Sequence, residues 1–167
     1  MPKCDAVFEG GGVKGIGFAG AIAGLEDGGY TFENVVGTSA GAIASSLIAA
    51  GYTGLELKEI LKDVDYRKFR QKPPLFLKGL SGMLTQFTSN YGLYKSEYFE
   101  RWLHGLLKKR DVRVFGDIQT RFKEEKYRYR CQVTACDLTA QTLMVLPGDI
   151  RYLGILPDKF EVSKAVQ

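Results

Sequence analysis

Apolar residues in the first third of the chain come in short blocks punctuated by glycine. Ala6-Val7-Phe8 predicts a brief buried strand running straight into Gly10-Gly11-Gly12. Ile16 to Glu26 predicts a helix, stopped by Gly28-Gly29. Asn34-Val35-Val36 predicts a second strand, and Ala40 to Ala50 a helix rich in small residues, closed at Gly51. Leu55, Ile60, Leu61 and Val64 share helical spacing, so Leu55 to Val64 is a third helix, and Pro73-Pro74 ends regular structure. Leu75 to Tyr94, with Gly79, Gly82 and Gly92 among apolar residues, predicts a loop or cap. Ser96 to Lys109 is amphipathic, with Phe99, Leu103, Leu106 and Leu107 on one face and cations in its last turn. Tyr127 to Ala135 alternates as a strand does, and Thr142 to Leu146 pairs with it across a turn at Asp137 to Gln141. Phe160 to Gln167 begins another helix.

Strands alternating with helices, with glycine turns at the strand C-termini, predict an α/β fold. Its core is a parallel sheet with flanking helices, and its functional loops lie along one edge. With 167 residues, no repeat and no linker, residues 1–167 form a single domain.

Composition narrows the class. Twenty glycines concentrate before Gly54 and so belong to particular turns. Cys4, Cys131 and Cys136 have no metal-ligand spacing and leave one thiol over, which predicts reduced, buried cysteines in a cytoplasmic protein and no metal. No apolar run reaches the roughly 20 residues that span a bilayer, and Asp5 and Glu9 occupy the place of a signal peptide's basic region. The net charge of +4 is unevenly spread: Lys58 to Lys78 holds seven Lys/Arg against three Asp/Glu, and Lys108 to Arg130 nine against four. Such segments suit peripheral contact with an anionic membrane surface or simply a solvated helix face. Nothing resembles a nucleic-acid recognition motif.

Gly37-Thr38-Ser39-Ala40-Gly41 matches G-x-S-x-G, the sharp strand-to-helix corner that pushes a serine hydroxyl out of the backbone. Ser39 is the candidate nucleophile, with Gly37, Thr38, Ala40 and Gly41 forming its elbow. The helix beginning at Ala40 turns its free N–H groups and positive dipole end toward Ser39. One βα unit earlier, Gly10, Gly11, Gly12, Val13, Lys14 and Gly15 form a loop whose amides can converge on one point, a candidate oxyanion hole. The same loop satisfies the dinucleotide fingerprint Gly10-x-Gly12-x-x-Gly15, with Glu33 at about the distance of a ribose-binding acid. A dinucleotide-binding protein is therefore the alternative, and a non-catalytic lipid-binding remnant a third reading. His104, the single histidine, lies on the Ser96–Lys109 helix without an acid to complete a triad.

The glycine loop followed by the Gly37–Gly41 elbow resembles the N-terminal half of the patatin-like phospholipases. Phe115-Gly116-Asp117-Ile118 and Thr134-Ala135-Cys136-Asp137-Leu138 follow in the family's order, so the resemblance covers nearly the whole chain. It implies a fold similar to the cytosolic phospholipase A2 catalytic domain. It also implies hydrolysis of acyl esters of phospholipids or other lipids by a Ser–Asp dyad, without a cofactor. The family's Asp-Gly-Gly or Asp-Gly-Ala motif belongs downstream of the elbow. Here the one such triplet, Asp27-Gly28-Gly29, precedes Ser39 and reads as a helix stop. Asp137, after the elbow at a strand end, is a weak candidate acid. The expectation is a domain incomplete at its C-terminus, with nucleophile and oxyanion loop present, the acid absent, and little or no ester hydrolysis on its own.

Overall fold

The computed structural model describes residues 1–64, 97–122 and 124–167. Among these residues, four strands form one mixed sheet in the order β1-β2-β3-β4. Strand β1 (Lys3–Phe8) runs parallel to β2 (Thr31–Gly37), in register from Lys3 opposite Thr31 to Phe8 opposite Gly37. A one-residue shift interrupts that register after Cys4. There the Asp5 carboxylate accepts from both the backbone N–H of Asn34 (3.1 Å) and its side-chain amide (2.8 Å), filling the gap in the ladder.

Strand β3 (Cys131–Asp137) pairs parallel with β2, and Val133 lies opposite Gly37. Strand β4 (Thr142–Leu146) returns antiparallel to β3. Three parallel strands need long crossovers, which helices supply, whereas the short β3–β4 turn permits only an antiparallel return.

Helix α1 (Ile16–Asp27) links β1 to β2 after a tight turn at Gly12–Gly15. Helix α2 (Ala40–Ala49) follows the elbow and is buried on almost every side, and its two buried serines satisfy their hydroxyls within the helix, Ser45 donating to Ala42 O (3.1 Å) and Ser46 to Ile43 O (2.9 Å). It packs against β1, β2 and β3. Helix α3 (Gly54–Lys62) starts at a capping box: the Thr53 hydroxyl accepts from Glu56 N–H, and Glu56 accepts from Thr53 N–H. Gly54 lets α3 sit directly on α1, because a Cβ there would lie 2.3 Å from Ala23 N. Helix α4 (Glu97–Lys108) buries Leu103 and Leu107 and rests against the short α5 (Val162–Val166). A single core gathers Ile22, Val35, Leu47, Leu57, Leu103, Phe115 and Val133.

The alternating stretch from Tyr127 divides its work. Only Cys131 onward joins the sheet, while Arg128 to Arg130 pair with Ile118 to Thr120. Tyr129 is buried edge-on against Phe115, and the half-buried Arg130 guanidinium donates to Phe32 O (3.1 Å) and Ala49 O (3.3 Å). Burial strips water from Arg130 and lowers its pKa from the ordinary arginine value.

The cations between Lys108 and Arg130 largely face acids: Arg110 meets Glu56, Arg113 meets Glu161, Arg121 meets Glu33 and Arg128 meets Asp158. Most of the Lys58–Lys78 run, and the loop or cap expected at Leu75 to Tyr94, lie outside the described residues. Among the described residues, no helix is long and apolar enough to cross a membrane.

Candidate active site

Ser39 sits where β2 becomes α2, at φ 55° and ψ −118°. A side chain in this left-handed region costs about 1–3 kcal/mol, which the surrounding packing must enforce. Two glycines make the corner possible. A Cβ on Gly37 would lie 2.1 Å from Gly41 O, and one on Gly41 would lie 2.2 Å from Phe8 O. Thr38 N–H donates to Phe8 O (3.1 Å), tying the elbow to the end of β1. The Ser39 carbonyl accepts from Ala42 N–H (2.9 Å), starting the first turn of α2. The serine is exposed, at the positive end of that helix.

The glycine loop leaves β1 beside this corner. An ideal Cβ on Gly10 would stand 3.5 Å from Ser39 Cβ, so the glycine loop and Ser39 are immediate neighbours. Gly12 takes φ +55°, and Gly15 presses against α2, where a Cβ would come within 2.8 Å of Ala40 Cβ. Lys14 N–H donates to Gly11 O (3.2 Å) and so closes the loop on itself. The Lys14 side chain is exposed.

Ser39 opens into a cleft of about 890 Å³. Its walls are apolar: Gly12 and Val13 from the loop, Ala40, Ala42 and Ile43 from α2, Phe99 from α4, Ala135 from β3, and Ala165 and Val166 from α5. Thr134, Cys136 and Gln167 also border it. The Thr134 and Thr38 hydroxyls hydrogen-bond at 2.8 Å, joining the elbow to β3 from the side opposite β1. The contributions of Phe99, Thr134 and α5 escape sequence reasoning because they come from three distant segments. Register alone could have found Thr134, one step beyond the residue opposite Gly37.

Asp137 ends β3, but its Oδ1 accepts from Thr139 N–H (2.8 Å) and Ala140 N–H (3.0 Å), stapling the β3–β4 turn. It is not among the residues lining the cleft, and neither is His104, half-buried on α4. Asp117 likewise serves its own turn, accepting from Arg113 and Val114 N–H. Asp27 is the last residue of α1, in keeping with a helix stop.

Glu33 corrects the dinucleotide reading. It lies in the first half of β2, paired with Lys3 at 2.8 Å, whereas Gly10 follows the far end of β1. A ribose-binding acid belongs at the same strand edge as the glycine loop. The cysteine expectation also divides: Cys131 is buried, Cys4 half-buried and Cys136 exposed. Burial pushes the Cys131 thiol up to about 12. Among the described residues, no group of three His, Cys, Asp or Glu is placed to hold a metal ion.

The family model for patatin-like phospholipase matches residues 6–166. The uncharacterized protein YqhO of Bacillus subtilis strain 168 is 42% identical over 166 residues, covering 98% of this chain and 53% of YqhO. The chain thus spans about half the length of that curated relative. Among solved structures, full-length SpcU in complex with full-length ExoU, from the type III secretion system of Pseudomonas aeruginosa, matches with a TM-score of 0.62 at 20% identity. The match covers 99% of this chain and 37% of the other. VipD from Legionella pneumophila matches with a TM-score of 0.51 at 18% identity, over 99% of this chain and 42% of its own. At such identities the likeness is one of fold, and it extends over the whole described sheet. Together with the family model, it places the elbow and glycine loop within a known architecture: the chain belongs to the patatin-like phospholipase family.

Proposed function

We propose that this domain is the nucleophile-bearing part of a serine lipid acyl hydrolase, acting on phospholipids or other acyl-ester lipids. One observation carries the reading: a strained, exposed Ser39 flanked by the Gly10 loop at the mouth of an apolar cleft. Ser39 Oγ attacks the ester carbonyl while a carboxylate takes its proton. Amides of Gly10 to Val13, supported by the α2 N-terminus, hold the tetrahedral oxyanion. Collapse breaks the ester C–O bond, and the departing alcohol takes the proton from the acid. Water, deprotonated by the same carboxylate, then attacks the acyl-serine, which frees the fatty acid and restores the Ser39 hydroxyl.

Among the described residues no Asp or Glu lines the Ser39 cleft, and Asp137 is committed to its turn, so the proton goes to an aspartate that these residues do not bring to Ser39. A positioned general base contributes about 10²–10⁴-fold, so the chain by itself is expected to turn over esters weakly or not at all. We place the protein in the cytoplasm, where its free thiols stay reduced, with peripheral contact at membranes that carry its substrate. Exposed Tyr152, Leu153 and Leu156 beside Arg151 and Lys159 support such contact better than the acid-paired 108–130 segment does.

Labelling with a fluorophosphonate probe tests the mechanism. Wild-type chain, Ser39→Ala and a form extended by its natural downstream sequence are compared. Labelling confined to the extended form and abolished by Ser39→Ala is the expected result. Labelling of the short chain would bring Asp137 back as the acid. Silence from every form would remove Ser39 as nucleophile and leave a lipid-binding module.

A further inference from the structure

A second, narrower cavity adjoins the Ser39 cleft. It holds about 50 Å³ and is lined only by glycine, alanine, valine, isoleucine and leucine. Gly12, Val13, Ala40 and Ile43 border both spaces, so the slot continues the cleft inward. One face of α2 forms its wall: Ala40, Ile43, Ala44 and Leu47 recur at the three- and four-residue spacing that stacks side chains on a helix. Leu57 and Leu61, one turn apart on α3, form its far end.

The space exists because particular residues are small. Ala40 and Ala44, four residues apart, leave a furrow between Ile43 and Leu47. Gly12 and Gly15 withhold side chains from the mouth. At that mouth Val13 is 65% exposed and Ile16 46% exposed, although both are apolar. Exposed apolar side chains beside an apolar channel favour whatever apolar group covers them. With liquid water occupying about 30 Å³ per molecule, the slot has room for the end of a chain and none for a ring or a headgroup.

We propose that this slot receives the distal methylenes of a long acyl chain whose ester carbonyl lies at Ser39. The domain thereby selects long-chain over short-chain acyl groups, with Ala44 and Leu61 setting the depth. The inference rests on the acyl-hydrolase reading for its chemistry, yet it is testable without turnover.

The test uses the full natural protein and two readouts. The first is the ratio of Ser39 labelling rates with hexadecyl and ethyl fluorophosphonate. The second is the binding of cis-parinaric acid, a fluorescent long-chain fatty acid. Leu61→Trp and Ala44→Leu fill the slot from opposite walls, and Leu55→Trp, on the exposed side of α3, is the control. Urea melts establish that each variant is folded before its ratio is read, and half-buried Leu61 tolerates bulk more readily than buried Ala44. The expected result is a hexadecyl preference that falls about ten-fold in both slot variants and stays as in wild type in Leu55→Trp. If both probes label Ser39 and neither slot variant moves the ratio, the slot is overturned while the hydrolase reading stands. If nothing labels, but parinaric acid binds and the slot variants weaken it about ten-fold, the hydrolase reading falls and the alkyl slot stands. Absence of both labelling and binding overturns both.

Discussion

At Gly41 a single methyl group would lie 2.2 Å from Phe8 O, and at Gly10 it would meet Ser39 Cβ at 3.5 Å. The first contact is impossible without moving β1 or α2, while the second is ordinary packing. Gly41→Ala is therefore expected to cost about 1–3 kcal/mol or more and to abolish Ser39 labelling. Gly10→Ala should fold with near-native stability and place a methyl beside Ser39. Urea denaturation separates the two. The three thiols supply a second residue-scale test. Exposed Cys136 should alkylate with iodoacetamide in the native protein, and buried Cys131 only on unfolding, as peptide mass mapping would show. Modification of native Cys131 would contradict its packing beneath Ser45 in α2.

Elements are held to one another by few but specific groups. The capping box Thr53-x-x-Glu56 determines where α3 begins, and its position on α1 then follows from Gly54. Thr53→Ala should lower stability by about 1 kcal/mol, read from the urea midpoint at unchanged slope. That motif was legible as S/T-x-x-E, yet apolar spacing alone starts the helix at Leu55, one residue late. Arg130 is the opposite case. Nothing in the alternation from Tyr127 to Ala135 says that this arginine turns inward to bridge β2 and α2, because its acceptors, Phe32 O and Ala49 O, are backbone groups far away in sequence.

Across the whole molecule, titration bounds the pH range of stability. The Glu161 carboxyl is held below the ordinary carboxylate range, chiefly by its hydrogen bond from Arg113 and further by Lys164. A lowered folded pKa means that its contribution is present above the ordinary value near 4.5 and is lost as pH falls through the folded one. The Cys131 thiol works in the other direction. Raised from 9.0 to about 12, it contributes fully below 9.0 and loses that contribution as pH climbs toward 12. Urea midpoints measured against pH should therefore decline on both sides of a neutral plateau. Cys131→Ala should flatten the alkaline limb, and Glu161→Gln the acid one. An alkaline limb unchanged in Cys131→Ala would assign it to other groups.

The sequence by itself determined the local architecture. Glycine placement and apolar blocks specify β1, α1, β2, the elbow and α2 in order, because tight βα corners and buried small-residue helices each demand particular residues at neighbouring positions. It also marked Ser39 and the Gly10–Gly15 loop, whose chemistry lies in contiguous motifs. Tertiary structure decided everything that depends on neighbours distant in the chain. It set Thr134 against Thr38, brought Phe99 and α5 to the cleft, separated Glu33 from the glycine loop and committed Asp137 to a turn. It also opened the slot between α2 and α3. Local propensity follows from a residue's immediate neighbours, whereas a cleft is a relation among segments, fixed only when the sheet register and the helix packing bring them together.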